Sequence, residues 1–378
     1  MARISTLVTV IVVAAMVAAF MWLKPFSGLT SQVPPTEVLT FESIALDNEG
    51  VHAVVRAEGS EPVVIAQVLV DGAYRTFTQT PKGPLSRLER ARIDIPYFWI
   101  AGEPLAISML TATGITFDHT VEVATGREAL GGAGLLQLAL IGLFVGFVPI
   151  LAGYGFLPGL RALGDTGRDF ALGLTVGLLL FLLIDTMSEG LTFAAAAAPG
   201  LHAGMGFWTV TLLVAVILFA AARWRGGAPK GAKLAFFIAL GIGFHNLGEG
   251  VAIGASIATG EVALAAFLII GFFLHNLSEA IAITAPYRGA RIGFATLLGL
   301  ALLAGAPAAI GTIAGGFAFT PFRATLAFAV GAGAILQVLA ELGRMLFGGL
   351  DKASGAATAV GFCAGLAIMY VTALLIAG

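Results

Sequence analysis

Long stretches of apolar residues follow one another along most of the chain, separated by short polar connections. Each stretch is long enough to cross the roughly 30 Å hydrocarbon core of a bilayer as a helix that rises about 1.5 Å per residue. The pattern therefore predicts an α-helical polytopic membrane protein. Nine spans are expected, at 4–23, 133–157, 169–197, 205–222, 234–258, 261–285, 292–317, 322–347 and 356–377.

The segment between the first two spans has a different pattern, because apolar and polar residues alternate there and turn residues recur. Its stretches rich in Val, Ile and Thr predict about seven strands in a small β-sandwich; these stretches are 51–57, 63–70, 105–110 and 115–123. Three domains are expected: an N-terminal membrane anchor or uncleaved signal at 1–23, an extracytoplasmic β-sandwich at 24–130 and an eight-helix domain at 131–378.

Basic residues in the connections predict the orientation of the spans, since Lys and Arg are retained on the cytoplasmic side. If Arg3 lies inside, alternate connections carry nearly all of the basic residues, namely Arg161, Arg168, Arg223, Arg225, Lys230, Lys233, Arg288, Arg291, Arg344 and Lys352. The opposite short connections contain essentially only Arg323. We therefore expect a multi-pass protein of the cell membrane with a cytoplasmic N-terminus, and with the β domain and the C-terminus outside.

Composition narrows the class of protein further. Hydrophobic residues make up 58% of the chain and charged residues 11%, which is more apolar surface than one soluble core buries. The net charge is −2 and the sequence has no basic tract, which excludes a nucleic-acid footprint. Membrane lipid is thus an expected partner, and the many Gly and Ala residues of the spans are compatible with a homodimer.

Ionisable residues within the spans are costly in lipid and usually mark a functional site. They are Asp185, Glu189, His245, Glu249, His275, Glu279 and Glu341. Three spans share one arrangement, two polar residues at i and i+4, which lie on the same helix face. Such a pair can simply join two helices, but the His and Glu pair repeats 30 residues later on the next span. The repeat favours a metal site, because imidazole nitrogen and carboxylate oxygen suit divalent ions such as zinc.

The segments His245-Asn246-Leu247-Gly248-Glu249 and His275-Asn276-Leu277-Ser278-Glu279 resemble the paired helical motifs of the ZIP family of divalent-metal transporters. The resemblance covers residues 133–378, including eight spans with the longest basic connection between the third and the fourth. It implies an eight-helix ZIP-like bundle whose metal ligands are His245, Glu249, His275 and Glu279, with Asn246 contributing to an adjacent second site. Asp185, Glu189 and Glu341 resemble polar residues on that family's metal pathway.

Several positions depart from the family pattern. Gly248 and Ser278 stand where the family commonly has a proline before the motif glutamate. Ala306 precedes Pro307 where an acidic residue is often found, and Asn276 is neutral. The departures imply one strong metal position and a poor or absent second one.

The expected function is transport of a divalent transition metal towards the cytoplasm by alternating access, with zinc as the first candidate and Fe, Mn and Cd as alternatives. No enzyme activity is expected, because the sequence has no zinc-protease, nucleophile-elbow or phosphate-binding motif. Two alternatives stay open. One is an intramembrane zinc hydrolase in which Glu249 or Glu279 activates water, and the other is a membrane metal sensor that uses the β domain.

Overall fold

The computed structural model describes residues 36–121, 124, 132–162, 164–224, 226–227, 229–258, 262–287, 291–347 and 352–377, together with six positions between 12 and 22. The expected anchor at 1–23 lies largely outside the described residues. Within them, a β region precedes a series of long helices.

Two antiparallel sheets of four strands each form the β region, in the orders β1-β2-β6-β5 and β4-β3-β7-β8. The strands are β1 (Leu39–Asp47), β2 (Gly50–Ala57), β3 (Ile65–Val70), β4 (Ala73–Arg75), β5 (Thr78–Thr80), β6 (Arg90–Ile95), β7 (Leu105–Thr111) and β8 (Thr116–Val121). Alternate residues of both sheets point into one core, in which Val51 and Ile93 of one sheet and Val68 and Ile107 of the other are fully buried. The predicted β-sandwich is therefore present, with eight strands among the described residues.

Eight helices of the described chain are long and apolar enough to cross a membrane, which makes this a multi-pass membrane protein. The helices are α1 (Gly132–Gly153), α2 (Leu157–Ala162), α3 (Gly164–Ala196), α4 (Ala203–Arg223), α5 (Gly231–Ala258), α6 (Val262–Thr284), α7 (Phe294–Ala318), α8 (Pro321–Phe347) and α9 (Lys352–Ala377); only α2 is too short to span. The predicted bounds differ most at the start of α3, which begins five residues before the expected 169. The charged residues Asp165 and Arg168 interrupt the apolar pattern there, but the helix includes both of them.

The helices pack mainly within two sets. We call α1, α5, α6 and α7 the first helix group, and α3, α4, α8 and α9 the second helix group. In the first, α5 and α7 touch through their backbones, since a Cβ added to Gly250 would lie 2.2 Å from the carbonyl oxygen of Ala308. A Cβ on Gly311 would lie 2.2 Å from the carbonyl oxygen of Leu247. Close approach of this kind is typical of small residues at helix interfaces in lipid.

The β-sandwich rests on one end of the helix bundle. The backbone N–H of Gly200, between α3 and α4, donates to Oε1 of Glu58 at 2.6 Å. Side chains on the outer face of β1, β2 and β6 line a cavity together with the connection from α7 to α8. We call this side of the bundle the β-domain end.

Candidate metal centre

Both histidine motifs lie in the middle of long helices. His245 and Glu249 are one turn apart on α5, the most deeply buried of the eight spanning helices, and His275 and Glu279 are one turn apart on α6. The two helices are consecutive and joined by a short connection, so they run in opposite directions. This brings His275 opposite Glu249 at the centre of the bundle.

Three ligand atoms converge there. Oε1 of Glu249 lies 2.9 Å from Nε2 of His245 and 2.5 Å from Nε2 of His275. His245, Glu249 and His275 offer one ligand atom each, all within 4.8 Å of one another, and all three residues are buried. The predicted convergence of the two motifs is therefore present for three of the four residues.

Thr186 of α3 orients the His245 ring, and sequence reasoning missed it. Its hydroxyl donates to the carbonyl oxygen of Leu182 at 2.6 Å and lies 2.9 Å from Nδ1 of His245. With its hydrogen so used, the hydroxyl can only accept from His245 Nδ1–H. Nε2 of His245 is then left with a lone pair directed at the centre, as in metal sites whose histidines are fixed by an outer partner. A lone neutral hydroxyl in an apolar span gives no distinctive sequence signal.

The electron pairs at the centre call for a positive charge between them. In the neutral ring with Nδ1 protonated, Nε2 of His245 would repel Oε1 of Glu249 at 2.9 Å, whereas a proton on Nε2 or a cation between the two atoms turns the contact into an attraction. Oε2 of Glu249 is buried without a hydrogen-bond partner among the described residues. A buried carboxylate in this state is costly unless a proton or a cation compensates it, and the imidazole and carboxylate donors suit a divalent transition metal.

Glu279 lies outside the compact group although it is just as buried. Neither of its carboxylate oxygens has a hydrogen-bond partner among the described residues. The expectation of four converging ligands is thus met by three, with Glu279 as a buried acid one helical turn from His275.

Asn246 and Asn276 join helices of the first helix group. Nδ2 of Asn246 donates to the carbonyl oxygen of Ala304 on α7, and Nδ2 of Asn276 donates to that of Val145 on α1, each at 3.0 Å. Each Oδ1 stays without a partner among the described residues. The amides therefore hold the motif helices in place, and the contribution of Asn246 to a second metal position stays a prediction.

A cavity of about 580 Å³ leads away from the centre. His245, Glu249 and His275 line its inner part, and Asp185 and Glu189 of α3 line its wall. Further lining residues lie on successive turns towards the β-domain end, including Phe193, Ser256, Leu264, Phe319 and Thr372. Asp185 and Glu189 therefore stand along the approach to the three ligands.

Glu341 is placed elsewhere. Its carboxylate accepts two hydrogen bonds from the Arg223 guanidinium, one of them from Nη2 to Oε2 at 2.8 Å, and it is buried on α8 near the end of the bundle opposite the β domain. Gly331, ten residues earlier on α8, is the residue that packs against the His245 backbone. Ten residues of helix correspond to about 15 Å, so Glu341 does not join the centre.

Comparisons with known proteins add no family assignment. The chain matches neither any protein-family model nor any curated protein sequence. The resemblance to the ZIP family therefore stays a prediction from the two sequence motifs.

Proposed function

We propose that this protein is a ZIP-like transporter that moves a divalent transition metal, zinc first, towards the cytoplasm. The observation that carries the proposal is the convergence of His245, Glu249 and His275 at the inner end of a cavity inside a membrane bundle. A structural ion would need no such approach route. A cargo ion needs one, because it must exchange its water for protein ligands and later be released.

Three ligands suit a site that has to release its ion. Structural zinc sites are closed by four protein ligands, whereas sites that exchange a ligand keep one position open. The three ligand residues line the cavity here, and Asp185 and Glu189 add carboxylates along the way in. The acidic wall would raise the local concentration of cations ahead of the site.

The two helix groups suggest how the site would change sides. All three ligands belong to the first helix group, which the amides of Asn246 and Asn276 and the α5–α7 backbone contact hold together. The second helix group contributes Asp185, Glu189 and Thr186. We expect the first group to move against the second during alternating access, so that the hydrogen bond between Thr186 and His245 breaks or reforms with each crossing.

The proposed direction of transport rests on the orientation that the charge of the connections predicts. The cavity extends to the β-domain end, and the connections at that end contain few basic residues. Retention of Lys and Arg in the cytoplasm would put the β-domain end outside. The cavity would then receive metal from outside the cell membrane.

Metal uptake by proteoliposomes tests the proposal. Glu249→Gln keeps the shape of the side chain but removes its charge, and it should reduce zinc uptake to the level of empty vesicles. Glu49→Gln, an exposed residue of the β domain, is the matched control and should transport normally. Uptake by Glu249→Gln at the wild-type rate would contradict the proposal.

An open zinc position beside a large cavity also fits an intramembrane hydrolase, in which Glu249 would activate a zinc-bound water. The same vesicles separate the two functions. A transporter accumulates metal in the lumen and leaves the lipid unchanged, whereas a hydrolase consumes a lipid or peptide without net accumulation of metal.

A further inference from the structure

A second cavity, of about 330 Å³, lies between the β-sandwich and the helix bundle. His52, Arg90 and Arg92 line it from the β domain, and Arg323 lines it from α8. Among the described residues, no acidic side chain is part of the lining. The cavity at the candidate metal centre has an acidic lining instead, because Asp185, Glu189 and Glu249 line it.

Two carboxylates next to this lining each pair with two basic side chains. Glu42 serves two guanidinium groups, with Oε1 at 2.6 Å from Nε of Arg56 and Oε2 at 2.5 Å from Nε of Arg90. Asp94 likewise serves both Arg92 and His52.

Among the described residues of the lining and their ion-pair partners, four guanidinium groups therefore face three carboxylates, since Asp47 is the third. Positive charge is in excess even when His52 is neutral. The hydrogen bonds of His52 add to it: burial acts to lower the pKa of the ring, but the bonds to Asp94 and Asp47 outweigh burial and raise the pKa.

Arg323 supplies the uncompensated charge. Its side chain is exposed and donates to the carbonyl oxygen of Ala318 at 3.0 Å, and it has no carboxylate partner in the described part of the chain. It is also essentially the only basic residue in the short connections at the β-domain end of the sequence pattern, where few basic residues occur. Two residues before it, α8 begins, so the positive end of that helix dipole lies beside the cavity.

We propose that this interdomain cavity binds a phosphate-type oxyanion, with Arg323 on the bundle and Arg90 and Arg92 on the β-sandwich as its ligands. The planar guanidinium group matches phosphate by donating two parallel hydrogen bonds. An anion bound there contacts both domains at once. It therefore holds the β-sandwich on the bundle by supplementing the hydrogen bond from Gly200 to Glu58.

The oxyanion has two sources with the same chemistry. Free phosphate reaches the cavity from the surrounding solution. The phosphate of an anionic lipid headgroup is the second source, because the cavity is lined by the ends of α5 and α7, where the bundle leaves the bilayer.

Thermal unfolding of the purified full-length protein in neutral detergent tests the first source. Phosphate replaces chloride at constant ionic strength, and the rise in Tm is measured with phosphate concentration. Arg323→Gln should weaken the apparent phosphate affinity about tenfold or more, since it removes a charged hydrogen-bond donor. Arg323→Lys keeps the charge and should retain part of the effect. Arg87→Gln, an exposed arginine outside the lining, should behave as wild type and so corrects for general salt effects.

Native mass spectrometry tests the second source, after reconstitution in phosphatidylcholine that contains phosphatidylglycerol. The wild type should retain one more phosphatidylglycerol than Arg323→Gln if a headgroup occupies the cavity. A phosphate effect alone identifies a free oxyanion as the ligand, and lipid retention alone identifies a headgroup. If Arg323→Gln equals wild type in both measurements, the proposal is wrong. Neither measurement contains a transition metal, so the outcome does not depend on the transport proposal.

Discussion

Two clusters of histidine and carboxylate occur in this chain, one in the β-sandwich and one inside the bundle, and their surroundings differ. In the β-sandwich, His52 lies 2.5 Å from Asp94 and 2.9 Å from Asp47. Asp47 also accepts the backbone N–H groups of Glu49 and Gly50, and Asp94 accepts Nε of Arg92. Each carboxylate there is compensated by protein donors.

Inside the bundle, the same residue types leave acceptors uncompensated. Oε2 of Glu249 and both carboxylate oxygens of Glu279 are buried without hydrogen-bond partners among the described residues. Water can reach the β-sandwich cluster but little of the bundle cluster. Distances between histidine and carboxylate therefore do not distinguish an ion pair from a metal site. Buried carboxylate oxygens without hydrogen bonds set the bundle cluster apart, and they support the proposed metal site.

Removal of a ligand histidine should have the largest effect. His245→Ala and His275→Ala should each weaken zinc binding by about 100-fold or more, because the centre falls to two protein ligands. His52→Ala is the matched control, and its zinc affinity should equal that of wild type. Isothermal titration calorimetry of the purified protein measures the three variants. Equal losses in all three would show that the two clusters do not differ in the way proposed.

Loss of the Glu341 charge should cost stability without loss of metal binding. Glu341→Gln leaves Arg223 without its buried partner, which typically costs about 3 kcal/mol. Denaturant unfolding in detergent measures the stability, and zinc titration of the folded variant measures the site. If zinc binding falls while stability stays unchanged, Glu341 belongs to the metal pathway after all.

Thr186→Val should have an intermediate effect. Valine is nearly the same size as threonine but cannot accept a hydrogen bond from His245 Nδ1–H, and loss of such an outer partner typically costs 10–100-fold in metal affinity. Thr192→Val, an exposed threonine on the same helix whose hydroxyl bonds within α3, is the control. A zinc affinity of Thr186→Val within twofold of wild type would rule out the orienting role.

Changes in pH should act on the two clusters in opposite directions, with the smallest effect in the β-sandwich. The raised pKa of His52 stabilises the fold below its ordinary value of 6.5, and this is lost as pH rises through the higher folded-state pKa. For Asp47, burial acts to raise the pKa, but hydrogen bonds lower it below 3.8, so its contribution persists above that pH.

Scanning calorimetry of the full protein should therefore find the β-sandwich less stable at pH 9 than at pH 6, by about 1 kcal/mol or less. His52→Gln should remove this difference. Zinc binding at the bundle cluster should instead weaken on acidification, because protons compete with the metal for imidazole. Zinc affinity that is constant down to pH 5 would contradict an imidazole site.

Most of the fold could be predicted from the sequence. Hydropathy predicted the eight described spans because a bilayer demands about 20 apolar residues from each helix. Alternation predicted the β-sandwich, although β4 and β5 have only three residues each and carry little pattern. The start of α3 was less predictable, since polar residues at the end of a spanning helix look like a connection.

The candidate site was predictable only in part. Spacing at i and i+4 placed each His and Glu on one helix face, and the repeat on consecutive helices indicated that the faces meet. Spacing could not distinguish the three converging residues from Glu279, because convergence depends on how far each side chain reaches. Nor could it predict that Arg223 pairs with Glu341, 118 residues away, or that Thr186 orients His245, because both contacts depend on how separate helices pack.

The contact between Gly250 and the Ala308 carbonyl limits how α5 can behave. The two backbones touch with no side chain between them. Rotation of α5 alone would therefore separate α5 from α7 and open a gap between the two helices. Gly250→Ala would place a methyl group in that contact. If the proposed alternating access occurs, His245 and Glu249 should therefore shift together with α7 rather than by a rotation of α5 alone.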